Sequence, residues 1–379
     1  MEACVARALA GLGAGPPEAV FVMATAALGS RRLEGLLARA GDMLQDENWL
    51  GASAEGLVLA GREVVGLPGF AVAAFSGVEA ELFCCEGLAG REAEAGHEIA
   101  DRLSGSPQAG DSLIIFADSL NLDLEPLLRG LQTAAGPARV MGMGASELPG
   151  DSPRVWASGH FIDKGCCGLW LRSPRSPRIA VIQGTAPISE EREVTRVRGR
   201  WVLGLDGEPA LACLHAAGGN VDDGALTRSV LAQVRGAGRS KQAGDAVLRN
   251  LVGLDTQQEA FALSLPPRPG DRLAFVRLDS AVARQDLASG LAGLGTEPAG
   301  LGLYFSCPSR GQKLFQDAGF EGAALARTLG AAPLLGMMGA FQLAPDPLGG
   351  APLLHTYSGV FALFDAEQAA GGRELERDR

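Results

Sequence analysis

The fold is decided by an apolar segment that occurs three times, as Val20–Ala26 (VFVMATA), Leu113–Ser119 (LIIFADS) and Leu301–Cys307 (LGLYFSC). Each copy is a short apolar run that ends in a small or polar residue, which is typical of a buried strand. A helical pattern follows each copy, and then a second apolar run that breaks at a Gly-Ala pair. In the first two copies both parts are 93 residues apart, since 113 − 20 and 144 − 51 are both 93. This internal repeat predicts a pseudo-symmetric body whose glycine turns face a common space.

The three Gly-Ala breaks have related sequences, namely Gly51-Ala52-Ser53, Gly144-Ala145-Ser146 and Gly339-Ala340-Phe341. Alternating strands and helices predict an α/β fold with mixed β-sheets flanked by helices. The strand–helix–strand–hairpin units are pseudo-repeated in two halves of the chain. Helices are predicted at 34–44, 90–103, 122–132, 225–234 and 281–294, strands at 47–52, 138–143 and 179–183, and hairpin-like segments at 56–65 and 70–76.

Composition excludes several classes of protein. A hydrophobic content of 47% with 20% charged residues describes a globular protein rather than a disordered one. The net charge of −11 argues against nucleic-acid binding, which needs cations to neutralise phosphates. The N-terminal residues lack a signal-peptide pattern, and the longest uncharged run, Thr328–Pro345, contains glycine and proline throughout. We therefore expect a cytoplasmic protein with no membrane partner and no nucleic-acid partner.

The seven cysteines do not have the spacing of a disulfide framework, and their odd number fits a reducing compartment. Cys84-Cys85 and Cys166-Cys167 are vicinal pairs inside apolar runs. Because neighbours on a strand point to opposite faces, we do not expect either vicinal pair to clamp a metal ion.

The clearest linker is Arg172–Arg178 (RSPRSPR), where proline and serine break regular structure. It divides the chain into a first domain at residues 15–172 and a second domain at residues 178–365. The charged tail at residues 366–379 is expected to fray.

Motifs in both halves resemble the FIST family (F-box and intracellular signal transduction), with an N-terminal and a C-terminal FIST region over residues 15–365. The N-half motifs are Trp49–Gly56 (WLGASAEG), with Arg62-Glu63-Val64, and Val140–Ala145 (VMGMGA). The C-half motifs are Ile179–Pro187 (IAVIQGTAP), Leu205–Leu211 (LDGEPAL), Arg249–Gly253 (RNLVG), Arg277-Leu278-Asp279, Phe305–Gly311 (FSCPSRG), Pro333–Gly336 (PLLG) and Leu354–Ser358 (LHTYS).

The resemblance implies a cytoplasmic signal-transduction sensor that binds a small molecule, such as an amino acid or a related metabolite, in a cleft between the two halves. FIST regions accompany histidine kinases, diguanylate cyclases and chemoreceptors, so the implied output is a separate signalling protein. Some family members resemble haem-binding nitric-oxide sensors, which makes a haem-based sensor the alternative. A protein-interaction scaffold and a thiol-dependent enzyme are further alternatives. We expect no enzymatic activity, because the sequence has no recognisable catalytic constellation.

Cys307 follows the third apolar strand and precedes Pro308-Ser309-Arg310-Gly311. The carboxyl end of a strand is where ligands of α/β proteins bind. Arg310 could lower the pKa of the thiol or hold a carboxylate; the alternative is a packed cysteine beside a structurally paired arginine. The predicted ligand-binding residues are Cys307, Arg310, Gly311, Gly51, Ser53, Gly144, Ser146, Gly339, Gln342 and His355.

The glycine turns have two interpretations, since they could present backbone N–H groups to an anion or simply allow close packing. Phe341-Gln342 stands where the family usually has Gly-Glu. A glutamine still hydrogen-bonds but cannot neutralise a cation, so the ligand class would change if that glutamate meets a ligand amine. His215 and His355 are the candidate haem ligands, with no means of choosing between them. No metal site is predicted, because the histidines, cysteines and carboxylates lack zinc-site spacing.

Overall fold

The computed structural model describes residues 2–12, 17–44, 48–59, 61–76, 78–103, 105, 107–136, 138–148, 150–219, 222–239 and 245–365. The chain forms two compact units: Met1–Val181 together with Gly290–Arg379, and Ile182–Ser289. The predicted domain boundaries near residue 175 stay a prediction. The charged tail at 366–379 lies outside the described residues.

The described residues form a mixed α/β architecture, as predicted. The helices are α1 Glu2–Ala10, α2 Ser30–Met43, α3 Glu92–Arg102, α4 Leu124–Ala135, α5 Ala210–Gly218, α6 Asp223–Ser229, α7 Ser280–Ala292, α8 Gln312–Phe315 and α9 Phe320–Leu329. The strands are β1 Ala19–Thr25, β2 Trp49–Ala54, β3 Gly56–Leu59, β4 Arg62–Val65, β5 Phe70–Phe75, β6 Glu79–Cys85, β7 Ser112–Ala117, β8 Arg139–Gly144, β9 Val155–Ala157, β10 His160–Ile162, β11 Cys166–Arg172, β12 Arg178–Ile182, β13 Thr185–Pro187, β14 Arg192–Arg198, β15 Trp201–Leu205, β16 Glu208–Pro209, β17 Leu231–Arg235, β18 Ala246–Asp255, β19 Ala260–Leu263, β20 Arg272–Leu278, β21 Ala299–Ser306, β22 Leu334–Met338, β23 Gln342–Ala344, β24 Leu353–His355 and β25 Gly359–Asp365. Among these helices none is long and apolar enough to cross a membrane.

The described part of the larger unit is built on three mixed sheets, with strand orders β10-β9-β2-β1-β5, β24-β23-β8-β7-β11-β6 and β12-β25-β21-β22-β3-β4. Each sheet contains one parallel pair joined by a helical crossover. The pairs are β1 with β2 through α2, β7 with β8 through α4, and β21 with β22 through α8 and α9. The three predicted strand–helix–strand units are therefore present; their descent from one repeated unit stays a prediction.

The hairpin after each parallel pair leaves its own sheet and joins a neighbouring one. β3 and β4 extend the sheet of β22, β9 and β10 extend the sheet of β2, and β23 and β24 extend the sheet of β8. The chain then returns, since β5, β11 and β25 pair antiparallel with β1, β7 and β21. This cyclic exchange brings the ends of β2, β8 and β22 together, because the chain crosses between sheets at each of them.

The central core lies between the parallel pairs and receives one aromatic side chain from each. The rings of Phe21 and Phe116 meet edge to face with centroids 5.5 Å apart, and those of Phe116 and Phe305 are 6.5 Å apart. The alternate residues of β1, such as Val20 and Val22, pack on the other face with the helix α2. Strands buried on both faces explain why the three segments are almost uniformly apolar.

In the sheets, the strand pairing of the second copy differs by two residues from the pairing that the 93-residue spacing predicts. Ala24 pairs with Ser53, whereas Ala117 pairs with Gly144. Ala117 follows Ala24 by 93 residues, but Gly144 follows Ser53 by 91 (144 − 53). The second crossover has two residues fewer, so Gly144 occupies the sheet position of Ser53. The predicted equivalence of Gly144 with Gly51 is therefore wrong.

The smaller unit is an antiparallel barrel. Strands β14, β15, β19, β18 and β17 follow one another, and β20 closes the ring by pairing with both β14 and β17. Phe261 and Phe275 fill it together with Leu211 and Leu214 of α5. The prediction of a helix over 225–234 is wrong in its second half, because α6 ends at Ser229 and β17 follows. Pairing of β17 on both edges overrides the local helical pattern.

Candidate ligand-binding site

Five of the predicted site residues meet where the chain crosses between sheets; we call Ser53, Gly144, Ser146, Gly339 and Gln342 the crossing cluster. The Ser53 hydroxyl donates to the Ser146 carbonyl at 2.6 Å, and the Ser146 N–H donates to the Ser53 carbonyl at 2.7 Å. The Ser146 hydroxyl donates to the Met338 carbonyl at 3.2 Å. The chain leaves its sheet at the ends of β2, β8 and β22, which we call the first, second and third crossings. The bonds above join all three.

The third crossing is also bonded directly to the second. The Ala340 N–H donates to the Gly144 carbonyl at 3.0 Å, and the Gly144 N–H donates to the Phe341 carbonyl at 3.1 Å. A Cβ on Gly144 would lie 2.2 Å from the Phe341 ring, and one on Gly339 would lie 2.5 Å from the Gly144 carbonyl oxygen. Glycine is required at both positions because the crossings approach so closely.

Gln342 is the chemically distinctive member of the cluster. It is fully buried, and its Nε2 donates to the carbonyls of Ser306 at 2.8 Å and Gly339 at 3.2 Å. Two carbonyl partners fix the amide orientation, since only the nitrogen can donate. The Oε1 atom then accepts no hydrogen bond from the residues that the structure describes. A buried acceptor in that state costs about 1–3 kcal/mol, and a bound donor would relieve that cost at this oxygen.

The crossings reach solvent at Glu55 and Ala340. Glu55 is half-buried and Ala340 is exposed. The Glu55 N–H donates to the Met338 carbonyl at 2.8 Å and to the Ser146 hydroxyl at 3.0 Å, which fixes its backbone to the cluster. Glu55 is not among the residues predicted to bind a ligand. Its place two residues after Ser53, inside the same glycine-bounded turn, was the available signal.

Cys307 and Gly311 flank the cluster. Cys307 is buried and directly follows Ser306, whose carbonyl accepts from Gln342 and from the Gly339 N–H at 2.9 Å. Gly311 has a φ of 56°, and a Cβ there would lie 3.4 Å from Cε of Met338. The loop after β21 therefore packs beside the third crossing.

Arg310 adopts the structurally paired arrangement. Its Nε and Nη2 donate to Oε1 of Glu321 at 2.9 and 2.6 Å, and both residues are almost fully buried. Burial opposes the charge of Arg310, but Glu321 outweighs it, so the net effect raises the pKa of the guanidinium. Burial, reinforced by Glu321, also raises the pKa of Tyr304 well above its ordinary value. Arg310 is consequently charged and Tyr304 neutral at physiological pH.

The four histidines occupy different environments. His355 lies on β24 opposite Gln342 and is fully buried, so it flanks the crossing cluster. His215 is exposed on α5, with its Nε2 at 2.8 Å from Oδ1 of Asp223. His97 and His160 are exposed. Haem ligation by His355 would need the core around it to open; the haem assignment stays a prediction.

Gly51 lies two residues before the cluster and serves close packing. A Cβ at this position would lie 1.9 Å from the Val22 carbonyl oxygen and 2.8 Å from Nε1 of Trp156. Contact of Gly51 with a ligand stays a prediction. Across the described ranges, no group of three or more histidine, cysteine or carboxylate side chains is arranged to hold a metal ion.

Comparisons with known proteins agree with the motifs. The FIST N domain model matches residues 18–208, and the FIST C domain model matches residues 210–345. An uncharacterized protein of Mycobacterium tuberculosis (strain CDC 1551 / Oshkosh) is 27% identical over 327 residues, 83% of either chain. An uncharacterized protein of Mycobacterium bovis (strain ATCC BAA-935 / AF2122/97) is 25% identical over 354 residues, 89% of either chain.

Among solved structures, the crystal structure of cyanuric acid hydrolase from A. caulinodans covers 76% of this chain and 98% of its own, with 13% identity. Its TM-score of 0.23 is too low to carry an argument about fold or activity. The two family models follow each other in the order predicted from the motifs and span most of the sequence, so the protein belongs to the FIST family, whose domains are associated with signal transduction.

Proposed function

We propose that this protein is a signal-transduction sensor that binds a small molecule at the crossing cluster and acts on a separate signalling protein, such as a histidine kinase or a cyclase. One observation carries the proposal: the buried Oε1 of Gln342 accepts no hydrogen bond from the described residues. It lies where three sheets are joined by backbone and serine hydrogen bonds. The ten predicted site residues all belong to the larger unit, so the proposed site lies within that unit.

The cluster favours a ligand that carries N–H donors. The Gln342 oxygen can only accept a hydrogen bond, and Glu55 supplies a carboxylate at the edge where the crossings reach solvent. The guanidinium of Arg310 is already paired with the Glu321 carboxylate, so we assign it no ligand anion. An amino acid or a related amine-bearing metabolite matches these two acceptors.

Binding at a buried cluster would be coupled to movement. Ser53 and Gln342 are almost fully buried, so a ligand reaches the amide oxygen only when the crossing segments separate. A ligand that binds the opened arrangement better shifts the population toward it. Because the cluster joins three sheets, the opened arrangement differs at several edges of the larger unit, and such a difference is what a partner protein could recognise.

Thermal denaturation with a panel of amino acids and related amines tests the proposal. A ligand at a hundred times its Kd stabilises the native state by about 2.7 kcal/mol. For domains of 150–250 residues each kcal/mol raises Tm by about 2–4 °C, so a shift of several degrees is expected. Glu55→Gln should weaken binding of an ammonium-bearing ligand, whereas Glu147→Gln, an exposed carboxylate just after Ser146, is the matched control. Absence of any shift across the panel, or equal losses in both variants, refutes the site.

A haem-based sensor remains the alternative, with His215 and His355 as its candidate ligands. Asp223 engages Nε2 of His215 at 2.8 Å, so His215 would have to ligate iron through Nδ1. Reconstitution with haem should then give a Soret band that is lost in His215→Ala or in His355→Ala. The absence of a Soret band in the wild-type protein would reject this alternative.

A thiol-dependent enzyme is tested by the alkylation rate of Cys307. A rate no faster than that of an unactivated thiol would reject it.

A further inference from the structure

Four of the seven cysteines face one another across two neighbouring strands. In the antiparallel pair of β6 and β11, Cys85 lies opposite Cys166 and Cys84 lies opposite Cys167. Successive residues of a strand point to opposite faces, so the vicinal pairs of the sequence become two cross-strand pairs, one on each face of the sheet. All four are thiols in this structure.

The strand register puts each cross-strand pair within disulfide reach. Residues directly opposite in an antiparallel pair have Cα atoms about 4.5–5.5 Å apart and side chains on the same face. A disulfide needs Cα atoms about 4.4–6.8 Å apart. A cross-link between opposite cysteines therefore requires side-chain rotation and little backbone movement.

The two pairs differ in their access to solvent. Cys84 is exposed on β6, which is the last strand of its sheet, whereas Cys85, Cys166 and Cys167 are buried. The Sγ of Cys167 lies 3.4 Å from the Trp156 carbonyl oxygen, to which it donates. A dissolved oxidant thus meets Cys84 first, with Cys167 directly opposite.

We propose that Cys84 and Cys167 form a redox-active dithiol that a peroxide converts to a disulfide. The Cys84 thiolate attacks one peroxide oxygen, which breaks the O–O bond, gives a sulfenic acid on Cys84 and releases hydroxide. The Cys167 sulfur then attacks the Cys84 sulfur. An S–S bond forms, the S–OH bond breaks, and the thiol proton leaves with the hydroxyl group as water. Two thiols are oxidised, and one hydrogen peroxide is reduced to two waters once the hydroxide takes up a proton.

The disulfide would change contacts of residues beside the crossing cluster. The Cys167 thiol would lose its hydrogen bond to the Trp156 carbonyl. Trp156 pairs with Gly51 in the sheet and donates from its indole nitrogen to the Val22 carbonyl at 3.1 Å. The cross-link would also tie the edge strand β6 to β11. The proposed disulfide does not depend on any ligand, because the register of β6 and β11 places the two cysteines opposite each other.

Peptide mapping of the full-length protein tests the inference. Reduced protein is titrated with hydrogen peroxide, remaining thiols are alkylated, and a non-reducing digest is examined by mass spectrometry. The expected result is one peptide pair linked through Cys84 and Cys167, a loss of two of the seven alkylatable thiols, and reversal by dithiothreitol. A higher Tm of the oxidised form should accompany the cross-link.

Cys84→Ser, an exposed substitution expected to leave the fold intact, should abolish the intramolecular cross-link, and Cys85→Ser, on the opposite face, is the matched control that should retain it. Because the mapping is also done on the wild-type chain, the result does not depend on any variant folding. A link between Cys85 and Cys166, a dimer linked through Cys84, or oxidation of Cys84 to sulfinic acid without a cross-link would each overturn the inference.

Discussion

The buried pair of Arg310 and Glu321 gives the sharpest test of how the larger unit is stabilised. Arg310→Met removes the guanidinium and leaves the Glu321 carboxylate fully buried without its counter-charge. The same change removes the cation that lies 5.5 Å from the centroid of the Phe315 ring. Met keeps much of the apolar stem, so the measured loss reports mainly on charge rather than on volume.

The expected loss is large because burial removes the screening by water. Breaking one partner of a buried pair destabilises a protein by about 3–5 kcal/mol. The double variant Arg310→Met with Glu321→Leu removes both charges, and such replacements are often neutral or stabilising. We therefore expect each single variant to lose several kcal/mol and the double variant to recover most of that loss.

A surface pair of nearly equal length provides the control. Arg91 and Glu98 lie 2.7 Å apart, but their side chains are 53% and 42% exposed, against 0% for both Arg310 and Glu321, whose shortest contact is 2.6 Å. Exposed pairs contribute about 0–1 kcal/mol. Urea denaturation of both double-mutant cycles measures the two coupling energies. Equal coupling in the two pairs, or a loss below about 1 kcal/mol for Arg310→Met, would refute the reasoning.

Further predictions concern glycines and carboxylates. Gly96→Ala should lower Tm, because its Cβ would lie 2.3 Å from the Leu127 carbonyl oxygen at the α3–α4 contact. Gly35 lies on the exposed face of α2, and a Cβ there would have nothing within 4 Å, so Gly35→Ala should raise stability by about 0.5–1 kcal/mol in urea denaturation. Hydrogen bonds from Ser30 and Arg154 lower the pKa of Asp151 from 3.8 to about 2. The ionised carboxylate therefore stabilises the folded state above pH 3.8, and this stabilisation is lost as the pH falls through 2. In acid denaturation, Asp151→Asn should lack that pH dependence. Burial raises the pKa of Glu63 above 4.5, so the folded state binds the proton of this carboxyl more tightly than the unfolded state does. The free energy of unfolding therefore falls as the pH rises through the raised pKa. Thermal denaturation of Glu63→Gln over a series of pH values should not show that fall.

The strands and crossover helices could be predicted because their signal is local. Residues 20–24 and 113–117 are apolar without interruption, as is typical of strands buried on both faces. The exchange of hairpins could not be predicted, because Gly56–Leu59 pairs with β22, nearly 280 residues further on, and no local pattern specifies a partner at that separation. The two-residue difference between crossovers was hidden for a related reason. Sequence matching aligned the glycines, whereas hydrogen bonding aligned Gly144 with Ser53.

The candidate site was predictable to the extent that it lies at strand ends. Ser53 and Ser146 were selected from the Gly-Ala turns and Gln342 from the third turn and the family's usual Gly-Glu, and the structure places all three in the crossing cluster. Glu321 was missed, because a glutamate in an apolar helix looks solvated until a buried partner is known. The opposition of Cys84 to Cys167 was missed too, since it depends on the register of two strands in which these cysteines are 83 residues apart (167 − 84).

The strand exchange gives a physical reason why events at the crossing cluster would spread. Each crossing segment ends a strand of one sheet and begins the hairpin of another, so a shift of Ser146 moves β8 together with the chain that leads to β9. The Ser146 hydroxyl holds the Met338 carbonyl, and Met338 pairs with both β21 and β3. A displacement that breaks this bond therefore changes contacts in all three sheets at once, whereas the same displacement at a hairpin tip would change one. If the larger unit transmits a signal, this is the place where a small ligand would have the greatest effect.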